Sequence, residues 1–342
     1  MQLDFIHKPS GHCENGVVSN LLRYYGVEMS EAMVFGLGSG LFFAHMPFIR
    51  LHGMAVTSFR PLPGDIFSRV LSLLNIKIKR YKFSDKEKAM RVLDSLLERG
   101  IPVGMLVGVY HLPYFPKEYR FHFNAHNICV TGKDGDVYTV SDPVVVDKCR
   151  LTYEELKLVR FASGTYPPKG RMYHITDVSS KCGVTADTVR RAILKNCNRM
   201  LKIPIPMFGV KGIRFLAGRM RKWESRMGAK RAALNLAQIV RMNEEIGTGG
   251  AGFRFIYAAF LQEASVFMND PGLRELSAEM TIAGDMWRDF SYNAARLIKK
   301  RDAEPITYNQ LADKLIAISH KEEAIFRDLA KHCRLSKFRQ TN

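Results

Sequence analysis

From residue 186 to residue 333 apolar residues recur every three to four positions through six stretches, 186–200, 211–223, 228–246, 252–268, 272–299 and 308–333. A chain so patterned buries those faces by packing helix on helix, so this part is expected to be all-α. The first half reads differently. Alternating runs at 103–110, 125–131, 137–141 and 171–175 predict strands, while helical patterns follow Cys13 as far as Gly26 and recur at 62–74 and 84–98. We therefore expect an α+β domain followed by an all-α domain. The boundary is placed near 178, after Pro167-Pro168-Lys169-Gly170 and the last strand candidate, giving domains 1–178 and 179–342.

At 342 residues, with 46% hydrophobic and 25% charged residues, the chain has ordinary globular composition. The opening MQLDFIHKPS lacks the basic and apolar regions of a signal peptide, and the most apolar stretch, 35–49, is interrupted by glycines, a histidine and a proline. A cytoplasmic protein is expected. Six scattered cysteines without a CxxC pair argue against a disulfide framework or a zinc ribbon. The net charge of +18 is concentrated: 181–242 holds 15 basic residues, opposed only by Asp187 and Glu224. Such a stretch suits an anionic partner, or is simply a solvated helix face. A nucleic-acid reading has only charge behind it, since RMRKWESR at 219–226 contains one aromatic and no recognition-helix or zinc-finger pattern is present.

Cys13 stands at the opening turn of a helix, where unpaired N–H groups and the helix dipole stabilise a thiolate and could also hold an oxyanion. A histidine and an aspartate follow in AHNICVTGKDGDVYTVSDP, whose two alternating runs flank a Lys-Asp-Gly turn. With a three-residue loop, Lys133-Asp134-Gly135, His126 faces Asp142 directly, and the carboxylate can orient the imidazole. A two-residue loop would put them on opposite faces. Among the other histidines, His12, His45, His52, His111 and His122, none has a carboxylate in register. His122 and His126 form HxxxH, but no glutamate follows His122 and the segment is not helical, so no zinc site is expected.

The run GHCENGVVSNLLRYYG, followed by MSEAMVFGLGSGLFF and HNICVTGKDGDVYTVSDP, resembles the BtrH N-terminal domain family, and GTGGAGFRFIYAAFLQEA resembles the helical domain that commonly follows it. The resemblance implies a papain-like fold related to the leader peptidases of bacteriocin exporters, which space their catalytic His and Asp as here. It implies Cys13 as nucleophile, His126 as base and Asp142 as its orienter. The implied activity is transfer of an acyl group from an acyl carrier protein, or coenzyme A, through Cys13 to an amine or hydroxyl of a small molecule or lipid. The substrate would be a 4′-phosphopantetheine-linked thioester, with no cofactor or metal, and an acidic carrier could dock on 181–242. The peptidases carry a glutamine before the cysteine, whereas here the positions read His7-Lys8-Pro9-Ser10-Gly11-His12, so backbone N–H groups near Cys13 are taken as the oxyanion donors. A cysteine peptidase or amidase, and a non-catalytic binding protein on the same fold, are the competing functions.

Two glycine-rich segments need a reading. Phe35, Leu37, Leu41, Phe42 and Phe43 among Gly36, Gly38 and Gly40 suit a packed core loop better than a passage for a pantetheine arm. GTGGAG at 247–252 satisfies GxGxxG but follows a helical pattern, so a turn between helices is expected instead of a dinucleotide site.

Overall fold

The computed structural model describes residues 1–51, 53–179, 183–300 and 306–338; His52, Lys181 and Cys182 lie outside the described residues. The chain forms two compact units, 1–34 with 63–183, and 35–62 with 184–342. This departs from a single break near 178. The stretch 35–62 joins the second unit because its aromatic residues are core residues there: Phe43 stacks on Trp287 at 5.8 Å and Phe59 meets the same indole edge-on at 5.1 Å.

The first unit is α+β. Helix α1 (Cys13–Tyr24) begins it, and α2 (Glu31–Leu37) runs across the point where the units divide. Helices α3 (Asp65–Leu73), α4 (Lys86–Glu98) and α5 (Tyr153–Arg160) accompany strands β3 (Ile76–Tyr81), β4 (Val103–Val107), β5 (His126–Asp134), β6 (Val137–Ser141), β7 (Cys149–Thr152) and β8 (Met172–Val178). These six strands form one antiparallel sheet in the order β3-β8-β4-β5-β6-β7. β3 and β7 escape sequence reading because each is short and carries charged residues on its exposed face, as in IKIKRY. On one side of the sheet, Met90, Leu93 and Leu97 of α4 and Leu156 and Val159 of α5 pack onto Met105, Ile128, Val130, Tyr138 and Val140. Each such side chain contributes roughly 1.5–3 kcal/mol by leaving water.

In the second unit, β1 (Ala44–Leu51) and β2 (Met54–Ser58) form a hairpin not expected from the sequence, from residues that fall within the expected 1–178 domain. The chain after 184 is helical, as expected: α6 (Ala186–Leu201), α7 (Gly209–Met220), α8 (Trp223–Met227), α9 (Ala229–Glu244), α10 (Arg254–Met268), α11 (Pro271–Lys299) and α12 (Tyr308–Phe338). Trp287, Phe290 and Phe326 are fully buried. Arg254 and Glu322, both without solvent exposure, form a two-bonded ion pair at 2.8 and 2.9 Å, and the Trp287 indole N–H donates to the same carboxylate at 2.7 Å.

Both glycine-rich segments are packed. A Cβ on Gly36 would lie 2.0 Å from the Phe260 ring, and one on Gly40 would lie 2.5 Å from Phe35. GTGGAG joins α9 to α10 with no strand before it, and a Cβ on Gly252 would meet Phe59 at 2.3 Å.

Candidate active site

His12 caps α1 in extended conformation, and its Nδ1 accepts the Asn15 N–H at 3.4 Å, so the helix proper starts on Cys13. Cys13 is 7% exposed. The residues on either side are held by two carboxylates. Glu31, in the first turn of α2, accepts the N–H groups of Gly11 and His12 at 2.9 and 2.6 Å, while Glu14 accepts those of Gly64 and Phe67 at the start of α3. The consequence for the oxyanion is direct. Of the backbone donors expected near Cys13, those of Gly11, His12 and Asn15 are engaged, and the Cys13 N–H, which has no carbonyl to bond inside its own helix, remains.

The hairpin reaches the anticipated pairing by an unanticipated route. β5 continues to Asp134, which pairs with Val137, so the connection is the two-residue Gly135-Asp136 and not the three-residue loop, with Gly135 at φ +55°. That loop alone would send His126 and Asp142 to opposite faces. The register, however, shifts between Val130 and Gly132: Gly132 pairs with Thr139 but Val130 with Val140, leaving Thr131 as one extra residue on β5. The bulge restores the parity, and Ile128, Val130, Tyr138 and Val140 all lie in one core. At the bulge, β5 also pairs with the N-terminal segment. Beyond β4, the free edge of β5 is paired by residues 1–3: Leu3 N–H donates to Thr131 O at 3.0 Å, and Lys133 N–H to Met1 O at 2.8 Å. Gly132 permits that approach, since a Cβ there would lie 2.9 Å from Met1 O.

Asp142 consequently does not face His126 across the ladder. It follows the last residue of β6 and reaches back, and His126 Nε2 lies 2.7 Å from its Oδ2. Asp142 is wholly buried, and two more donors converge on it: the Tyr114 hydroxyl at 2.8 Å and the Val144 N–H at 3.2 Å. Burial, then the carboxylate charge, raises the Tyr114 pKa well above its ordinary value, so the phenol stays a donor. His7 Nδ1 meets Ser141 Oγ at 2.8 Å, and its Nε2 lies 3.1–3.2 Å from the Val145 and Val146 carbonyls, bracing the turn that carries Asp142. The Phe115 ring abuts the imidazole edge-on at 5.6 Å.

His126, 5% exposed, is hydrogen-bonded to Asp142 and is influenced electrostatically by Cys13. With Nε2 on the carboxylate, Nδ1 is the nitrogen left for the sulfur. Burial alone would lower its pKa, but the charges of Asp142 and Cys13 and the hydrogen bond to Asp142 prevail and raise it to about 10. The site thus favours the charged form of the imidazole.

The structure brings Cys13, His126 and Asp142 together, while three of the competing histidines are engaged otherwise. His12 serves its helix, His122 stacks on Tyr110 at 4.1 Å, and His45 bonds Thr57 in the second unit, where burial and then the Arg219 charge lower its pKa to about 4. Tyr114, His7 and Glu31 were not foreseen. Tyr114 lies in the long connection between β4 and β5, which carries no periodic signal, and Glu31 contacts residues 20 positions away.

A family model described as Butirosin biosynthesis protein H, N-terminal, matches residues 12–143, and a Domain of unknown function (DUF4872) matches residues 154–329. No curated protein matches the sequence. Among solved structures, a crystal structure from Bacillus anthracis described as a C39-like peptidase is similar at 14% identity and a TM-score of 0.35, over 53% of this chain and 92% of its own.

Proposed function

Because the chain belongs to the DUF4872 family and carries ahead of it an N-terminal domain of the Butirosin biosynthesis protein H type, we propose that it is a cysteine-dependent acyltransferase working through Cys13. The observation that carries this reading is the imidazole of His126, bonded through Nε2 to buried Asp142 at 2.7 Å and influenced by Cys13, which opens a helix.

In the proposed reaction the Cys13 thiolate attacks the carbonyl carbon of a carrier-bound thioester, the carbon–sulfur bond to the donor breaks, and the donor departs as its thiol or thiolate. The Cys13 N–H supports the oxyanion. Acylation removes the negative charge on sulfur, one of the influences that raise the imidazole pKa. With its pKa lowered, the ring gives its proton to the departing donor thiolate; the neutral imidazole then takes the proton of an attacking amine or hydroxyl, and Cys13 leaves as thiolate. Transfer to an acceptor in preference to water is favoured by burial, since Cys13, His126 and Asp142 are 7%, 5% and 0% exposed.

Intact mass spectrometry after incubation with acyl-carrier thioesters tests the proposal. An acyl mass on the wild-type chain, absent from Cys13→Ala and discharged by an amine acceptor, is expected. Peptide cleavage with no acyl mass from any thioester would instead assign the site to a peptidase, and an unreactive Cys13 to a binding protein.

A further inference from the structure

Helix α6 carries a second feature that the catalytic reading leaves unused. Arg191, Lys195 and Arg199, at four-residue spacing, with Lys202 at the helix end, line one side of an open groove of about 560 Å³. Its remaining walls are Leu194, Ile203 and Pro204 with Asn198, so among the described lining residues there is no carboxylate. One or two cations near a helix C-terminus answer its dipole, but four along roughly 16 Å of helix exceed that need.

The cations are not equivalent. Arg199 is anchored, since its Nη1 donates to the Ser39 carbonyl at 3.1 Å and its guanidinium lies 5.3 Å over the Phe42 ring. A guanidinium held in this way is pre-organised for an oxyanion. Arg191 is partly answered by Asp187 at 2.9 Å, whereas Lys195 and Lys202 are exposed and make no ion pair among the described residues.

We propose that this groove binds the phosphates of a coenzyme A-class ligand, with the cations on its phosphate groups and the apolar wall against its organic body. Charge spread along the helix suits phosphates at two separated positions, and a groove of this volume suits a small molecule. The choice of a thioester-bearing ligand rests on the acyl-transfer reading; the phosphate contacts do not.

Calorimetric titration of the full chain with coenzyme A, adenosine 3′,5′-bisphosphate, pantetheine and 4′-phosphopantetheine separates the sources. We expect coenzyme A and the bisphosphate to bind alike, more weakly as salt rises, and pantetheine to give no heat. Lys195→Glu/Lys202→Glu should weaken coenzyme A at least about tenfold with an unchanged melting temperature, since both side chains are exposed. Equal binding by the double variant, or pantetheine binding as well as coenzyme A, overturns the proposal, as does 4′-phosphopantetheine binding as tightly as coenzyme A. If a carrier thioester acylates Cys13 while coenzyme A fails to bind, the groove is refuted and the acyl transfer stands. If coenzyme A binds but Cys13 is never acylated by any thioester, the reverse holds.

Discussion

His126 sits where burial and charge oppose each other, and charge prevails. Its folded pKa, about 10, lies above the ordinary 6.5, so its contribution to stability is complete below about pH 6.5 and is lost as pH rises through about 10. Urea unfolding of the wild type and His126→Gln at pH 6 and pH 10.5 checks this: the gap between the two midpoints should be wider at pH 6. Alkylating Cys13 removes one of the two groups that raise the His126 pKa, and the ring-proton NMR titration should then move to lower pH. Tyr114→Phe deletes a donor to a buried carboxylate, at a cost of about 1–3 kcal/mol. We expect it to slow Cys13 acylation about tenfold or more in a single-turnover mass assay, with the fold retained. At this scale the sequence exposes side chains that must stand at a recognisable place, such as a cysteine on a helix start. It conceals those that matter through a contact alone: nothing near Tyr114 signals a bond to a residue 28 positions on.

The β5–β6 hairpin shows how an element can be legible while its geometry is not. Alternation and the turn glycine placed both strands well, yet the loop length was misjudged and the bulge at Thr131 was invisible. Bulge and loop shift the register in opposite senses, and the bulged stretch pairs with residues 1–3, more than a hundred positions away and without any periodic pattern. Gly132→Ala would place a methyl 2.9 Å from the Met1 carbonyl and 3.0 Å from the Gln2 Cα. The expected result is displacement of the N-terminal segment, a stability loss of about 1–3 kcal/mol by thermal or urea unfolding, and weaker acylation of Cys13 as the bulge relaxes. Unchanged stability together with unchanged acylation would show that the bulge does not depend on that pairing.

For the whole molecule, helical periodicity was enough to place the helices of the second half, but a single boundary near 178 does not describe units that exchange residues 35–62. The contribution of 35–62 to the second unit was hidden because glycine-spaced aromatics suit the core of either. That unit also holds the Arg254–Glu322 pair, whose charges have no exposure. Glu322→Ala leaves a buried guanidinium without its partner, and urea unfolding should show a loss of about 3–5 kcal/mol. Arg254→Met/Glu322→Leu, which removes both charges, should cost clearly less.

The interleaving of the units also sets a timetable for synthesis. Phe43 and Phe59 leave the ribosome more than 200 residues before Trp287, the ring they pack against. At ~5–20 residues per second they wait roughly eleven to forty-nine seconds. In the later part of that interval the first unit can already close, because its last strand ends at Val178, 109 residues before Trp287. The nascent chain must therefore carry an exposed aromatic hairpin beside a finished neighbour, and it is in that window, before the mature protein exists, that this architecture most needs shielding from aggregation.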